Sequence, residues 1–143
     1  MLRVSEFFKV SLKQFMKSVY DVKPSCSDSE ILNMFNYVLK LPERATKGSA
    51  GYDFVAPFDI TLSPGQTAKI PTGIRVKMEP GWVLMIFPRS GLGFKYRLQL
   101  NNTVGIIDED YFYSDNEGHI FVKLINANRE GKTLHVKKGE AFA

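Results

Sequence analysis

From Val38 onward, short apolar runs are cut by glycine and proline at near-regular intervals, and this punctuation points to a β fold. Phe58-Asp59-Ile60-Thr61-Leu62 alternates apolar with polar and stops at Ser63-Pro64-Gly65. Gln66 to Ile70 and Gly73 to Met78 read as strands on either side of Pro71, and Glu79-Pro80-Gly81 turns the chain again. Trp82 to Phe87 is apolar throughout, which predicts a strand buried on both faces. A small domain has few such places unless other subunits cover them. Thr103 to Tyr111, His119 to Asn126 and Thr133 to Val136 continue the series. Tyr113 to Gly118 is a polar loop and Asn128 to Gly131 a turn. About ten short strands at this spacing predict an all-β sandwich or barrel.

Residues 1–37 follow another pattern. Residues 3–10 read as a strand. Ser11 and Gln14 have capping-box spacing, and Leu12, Phe15, Met16 and Val19 share one face of a helix over 12–20. Pro24 and the Ser/Asp cluster after it form a loop. Ser27 and Glu30 make a second capping box, ahead of a short helix carrying Ile31, Met34, Phe35 and Val38. Leu39 and Leu41 then alternate around Lys40. The expectation is a single domain, with an N-terminal strand and helices over 1–37 and a β domain over 38–143. The helices either cover the β domain or meet a partner protein.

A chain of 143 residues can bury a real core, and 44% hydrophobic with 24% charged residues is a soluble globular balance. No apolar run approaches membrane-spanning length, and the N-terminus lacks a secretory core. Cys26 is the lone cysteine and cannot form an internal disulfide, so a cytoplasmic setting is expected. The net charge of +4 is spread thinly. It suits a small anionic substrate and makes no case for binding a polynucleotide. His119, His135 and Cys26 have no neighbours at metal-ligand spacing, so zinc chemistry is unsupported.

Chemistry concentrates in residues 87–111. Pro88 breaks an apolar run, and Arg89, Ser90, Gly91 and Gly93 follow at once. Glycines let a turn aim several backbone N–H groups at one anion, and a guanidinium adds a fork of donors for phosphate oxygens. The same residues also suit a plain turn into a short helix. Asp108 and Asp110 end the next strand, where a carboxylate is a candidate base or a solvated strand end.

Three segments together resemble the trimeric dUTPase family. They are Ala50-Gly51-Tyr52-Asp53-Phe54, Pro88-Arg89-Ser90-Gly91-Leu92 and Gly105-Ile106-Ile107-Asp108-Glu109-Asp110-Tyr111. The resemblance covers roughly residues 40–143. It implies a jelly-roll-like β domain assembled as a homotrimer, with active sites between subunits. It implies Mg²⁺-dependent hydrolysis of dUTP to dUMP and pyrophosphate by water attack on the α-phosphorus. That activity limits uracil in DNA and supplies dUMP for dTMP synthesis. Carried over residue by residue, Asp108 would polarise the water, and Arg89, Ser90 and Gly91 would hold phosphates. Asn102, six residues before Asp108, would read uracil together with the backbone of Gly105, Ile106 and Ile107. Tyr111 would pack on the deoxyribose and exclude a 2′-hydroxyl. Asp53 would face the waters of a magnesium ion held mainly by the triphosphate.

Two departures from the family pattern stand out. Phe112 to Glu117 intervene before Gly118, where the family runs straight from Asp-Tyr-x-Gly into the next strand. The chain also stops inside the fourth motif, at Lys137-Lys138-Gly139-Glu140-Ala141-Phe142-Ala143. The family's glycine-rich arm that closes over nucleotide is absent from this sequence: either a mobile tail beyond it carries the arm, or substrate closure and turnover are expected to be weak. The alternatives are a dCTP deaminase relative and a dUTPase-like regulator that binds a partner through its helices or the 112–117 loop. The deaminase family has a second serine where Gly91 stands.

Overall fold

The computed structural model describes residues 2–143. Among the described residues nine strands make four small sheets, and every named pairing is antiparallel. Strand β1 (Ser5–Lys9) pairs with β4 (Ile74–Met78), and β2 (Ile60–Leu62) with β9 (Leu134–Val136). Strand β8 (Phe121–Asn126) lies between β3 (Thr67–Pro71) and β6 (Leu98–Leu100). Strand β5 (Leu84–Ile86) pairs with β7 (Gly105–Ile107). The sheets enclose one core that includes Phe54, Ile60, Ile70, Val76, Leu124 and Phe142. The all-β expectation therefore holds. No helix is long and apolar enough to cross a membrane among the described residues.

The N-terminal helices form where their caps place them. Helix α1 (Leu12–Val22) starts at Ser11, whose side chain accepts from the Gln14 N–H. It runs two residues past the predicted end. Its box is not reciprocal, because the Ser11 N–H goes to Glu117 and not to Gln14. Helix α2 (Asp28–Asn33) has the full Ser27/Glu30 box and passes into a π-helical turn, Met34–Val38. Val10, Phe15, Val19, Ile31 and Leu39 make a second, smaller apolar cluster. The alternation at Leu39 and Leu41 forms no strand. Leu39 is buried against Gly73, where an added Cβ would lie 2.3 Å from a Leu39 methyl.

Two strand readings need correction. Trp82 to Phe87 is not buried on both faces within one chain. Only Leu84–Ile86 is strand, and Trp82, Val83, Met85 and Phe87 are each about half exposed, at 51%, 49%, 48% and 52%. The reason is that β5 pairs with β7 alone, and nothing among the described residues covers its outer face. Thr103 to Tyr111 is strand only over Gly105–Ile107. It then coils into a 3-10 turn, Glu109–Tyr113, because the Tyr111 N–H bonds back to the Asp108 carbonyl.

Candidate active site

The chain's last residues gather the first half of the site. The segment 139–143 runs between residues 54–56 and Arg89. The Phe54 N–H donates to the Ala143 carbonyl at 2.8 Å, and the Phe142 N–H returns to Phe54 at 3.0 Å. The Arg89 N–H donates to the Phe142 carbonyl at 3.1 Å. The Phe142 side chain is fully buried beneath them. Asp53 is pinned from its other side by its N–H, which donates to the Glu43 carbonyl at 2.8 Å.

Asp53, Arg89 and Ser90 therefore line one cleft of about 490 Å³ with Ala50, Gly51 and Phe87. That size suits a small molecule. Arg89 Nη2 lies 3.9 Å from Asp53 Oδ2, and both side chains are partly exposed. At that separation and exposure the pair contributes little stability. Its position is set by the backbone bonds just described, which leaves a cation and an anion both facing an open cleft. Helix α3 (Ser90–Tyr96) begins there, with no side chain capping it. Gly91 is exposed in its first turn, whose N–H groups have no intrahelical partner.

The second half lies elsewhere on the chain. Asn102 sits in a tight turn, where the Thr103 N–H donates to the Leu100 carbonyl at 2.9 Å. It lines a shallow recess with Lys69, Asn101, Phe121 and Lys123. Thr103 has φ 75, an uncommon conformation for a β-branched residue. Gly105 is buried against Ile86, Ile107 is half-buried and Ile106 is exposed beside Met85. Asp108 is exposed at the head of the 3-10 turn. Tyr111 is half-buried. Its hydroxyl donates to the His119 carbonyl at 2.7 Å and accepts from Asn116 Nδ2 at 2.9 Å.

The structure thus brings Asp53, Arg89 and Ser90 together. It leaves Asn102, Asp108 and Tyr111 outside their cleft. The register Leu84↔Ile107 and Ile86↔Gly105 places Arg89 and Asp108 beyond opposite ends of the β5–β7 pair. Sequence reasoning missed Phe142, Asn116 and Glu117. Phe142 stands among the last residues with no periodic partner to mark it as core. Asn116 and Glu117 lie in a stretch whose composition says only that it is a loop.

Of the two histidines, His135 is exposed and His119 is packed. It is fully buried, and its Nε2 accepts from the Gly73 N–H at 2.8 Å. That bond leaves the proton on Nδ1, which faces Ser18 Oγ at 2.9 Å. Burial pushes its pKa down to about 4, with Glu117 pulling it up and Lys69 pushing it further down. Burial also raises the pKa of Glu117, but hydrogen bonds from the Ser11 side chain and backbone outweigh it and hold the carboxyl below its usual range.

Comparison with known proteins finds relatives of this chain. A family model described as dUTPase matches residues 38–143. A deoxyuridine 5′-triphosphate nucleotidohydrolase of Lactococcus lactis is 41% identical over 106 residues, 73% of this chain and 69% of that protein. One of Tolumonas auensis is 42% identical over 119 residues, 81% of this chain and 72% of that protein. The fold matches the crystal structure of a dUTPase from Streptococcus mutans at a TM-score of 0.65 and 30% identity. That match covers 95% of this chain and 88% of the other. The matched region contains all three motif segments, two of which meet in one cleft, and the chain belongs to the dUTPase family.

Proposed function

We propose that this chain hydrolyses dUTP to dUMP and pyrophosphate, limiting uracil in DNA and supplying dUMP for dTMP synthesis. The observation that carries the reading is the cleft in which Asp53, Arg89 and Ser90 converge, in a chain of the dUTPase family. Arg89 offers a planar fork of donors to phosphate oxygens, and the uncapped first turn of α3 offers the N–H groups of Ser90 and Gly91. Asp108 is exposed and free to hold and polarise a water for attack on the α-phosphorus. Asn102 offers uracil one amide donor and one acceptor, with the backbone of Gly105 to Ile107 beside it. Tyr111 presents its ring to the sugar.

Mg²⁺ fits this donor set only as an ion carried mainly by the substrate. Among the described residues no three carboxylate, imidazole or thiol groups converge, and Asp53 is the acid in the cleft. Asp53 would meet the ion through water, in keeping with the hydrated coordination of magnesium. The ion would supply charge neutralisation on the triphosphate.

A homotrimer completes the reading. Trp82, Val83, Met85, Phe87 and Ile106 make an exposed apolar strip along β5 and β7, of a kind that marks an interface. An interface there would let the Arg89 cleft of one copy meet the Asn102–Tyr111 segment of another. The cytoplasm, which holds the nucleotide pool, is the compartment this function requires.

The test is pyrophosphate release from dUTP, dCTP, dTTP and UTP, with and without Mg²⁺. Release from dUTP alone, dependent on the metal, is expected. Asp108→Ala should retain nucleotide binding and lose hydrolysis, and unchanged turnover in that variant would sink the mechanism.

A further inference from the structure

Residues 112–117 leave the candidate site and return to it, and they are anchored on the N-terminal segment. The Glu117 carboxylate accepts from the Ser11 N–H at 2.8 Å and from Ser11 Oγ at 2.6 Å. It thereby serves the amino end of α1. Glu117 and Gly118 both take positive φ, at 63 and 71. A Cβ on Gly118 would lie 2.6 Å from Phe112 Cα and 2.7 Å from the Tyr111 carbonyl oxygen, so the loop closes tightly on the Tyr111 backbone. At its other end the Arg75 guanidinium lies 3.6 Å from the Phe112 ring centroid and donates to the Phe112 carbonyl at 2.8 Å. The Phe112 ring also meets Phe8 of β1.

From this anchored loop Asn116 is aimed back at Tyr111. Its Nδ2 donates to Tyr111 Oη, while its Oδ1 accepts from the Gly118 N–H at 3.1 Å. The hydroxyl of Tyr111 donates in turn to the carbonyl of His119, whose ring is clamped between Gly73 and Ser18 of α1. Partial burial asks for one partner at a tyrosine hydroxyl. Two partners from different directions fix where the ring points. The His119 ring reaches Ser18 of α1, and Glu117, the neighbour of Asn116, reaches Ser11; both serines lie outside the stretch matched by the family model.

We propose that Asn116 and Glu117 are positioning residues for sugar recognition. Through them the N-terminal segment holds Tyr111 in the orientation that separates a deoxyribonucleotide from a ribonucleotide. This rests on the reading of Tyr111 as the sugar-facing residue. The loop then acts as a strut between α1 and the site.

Asn116→Asp is the discriminating variant in the full chain. It keeps Oδ1 for the Gly118 N–H and replaces the donor to Tyr111 with an acceptor. The readout is the ratio of kcat/KM for dUTP to that for UTP. The expected result is a ratio about five- to tenfold lower, the worth of one or two hydrogen bonds. Glu117→Ala should move it the same way, and Glu117→Gln, which keeps one acceptor for Ser11, should recover part of the loss. If Asn116→Asp does not fold, Tyr111→Phe keeps the ring, loses both bonds and carries the same expectation. Equilibrium binding of the α,β-imido analogues of dUTP and UTP gives the ratio without turnover. Undiminished discrimination in both Asn116→Asp and Glu117→Ala overturns this inference and leaves the proposed function standing. A natural chain that binds neither analogue overturns the proposed function, and one that binds both equally overturns the role of Tyr111 and this inference together.

Discussion

The two halves of the candidate site are fastened by different means. Asp53 and Arg89 are tied to the segment 139–143 by backbone hydrogen bonds, over a fully buried Phe142. Asn102 lies in a tight turn beside Thr103 at its strained φ, Asp108 stands at the head of the 3-10 turn that follows β7, and Tyr111 lies within that turn. Tyr111 is fastened from the N-terminal segment through Glu117, Asn116 and His119, while Asn102 is held by the local hydrogen bonds of its turn. The half with Asp53 and Arg89, proposed to face the anion, is thus tied into the domain core within one chain. The half with Asn102, Asp108 and Tyr111, proposed to face base and sugar, rests on local turns and on the N-terminal segment and, in the proposed assembly, on another copy. Rigid placement suits charge, which every nucleoside triphosphate shares. The choice of base and sugar is then left to the half held by more local devices.

The comparison breaks most severely at Phe142. Phe142→Ala removes a fully buried ring and should cost about 3–5 kcal/mol of stability. It should also loosen Arg89 and Asp53 while sparing Tyr111. Urea unfolding measures the cost, and binding of pyrophosphate with Mg²⁺ reads the anion-facing half. A loss under about 1 kcal/mol would mean that the C-terminal segment does not hold the cleft.

Acid should act on the other half. His119 takes up a proton near pH 6.5 in an unfolded chain and only near 4 in the folded one. It is therefore neutral in the fold, and the unfolded state binds more protons as pH falls. Stability is undiminished above pH 6.5, falls through the window from 6.5 to about 4, and loses roughly 3 kcal/mol by its lower end. A proton on Nε2 would confront the Gly73 N–H, so loosening should begin between Gly73, α1 and the Tyr111 loop. Unfolding at pH 7.5 and 4.5 checks this, with His119→Gln as the control expected to lose the slope over that window. A slope unchanged in the control would place the acid sensitivity elsewhere.

Assembly sharpens the comparison further. Met85→Glu puts a charge on the exposed strip without touching the core. The expected outcome is a single-copy species by analytical ultracentrifugation and a fall of about a hundredfold in dUTP turnover, since the halves then no longer meet. A single-copy variant that turns over dUTP at the natural rate would show that one chain holds a complete site.

Much of this was legible beforehand, for physical reasons that differ by region. Ser63-Pro64-Gly65 and Glu79-Pro80-Gly81 bound real strands because turn residues act locally. The motif residues could be named because they stand in fixed short strings. The missed features are all long-range. The Ser11 N–H chose Glu117, more than a hundred residues away, over Gln14 at the local spacing. Leu98–Leu100 is too short to alternate visibly, yet its register with β8 makes it a strand. Trp82–Phe87 reads as doubly buried because its composition reports the cover its surface needs, and nothing among the described residues provides that cover.

The smallest effect lies at Thr103. Its φ of 75 is imposed by the hairpin: its N–H reaches back to Leu100 while the Val104 N–H bonds to the Asn102 carbonyl, each at 2.9 Å. A β-branched residue in that region costs on the order of 1 kcal/mol or more, and the neighbouring structure must offset it. Asparagine tolerates the left-handed region far better. Thr103→Asn should therefore stabilise the chain by about 1 kcal/mol, a rise of about 3–4 °C in Tm. The side chain is exposed, so packing changes little and the gain isolates the backbone. Thermal unfolding reads it directly. A Tm that stays level or falls would mean that the turn is relaxed as it stands, and that the base-facing half stores no more strain than the Arg89 cleft.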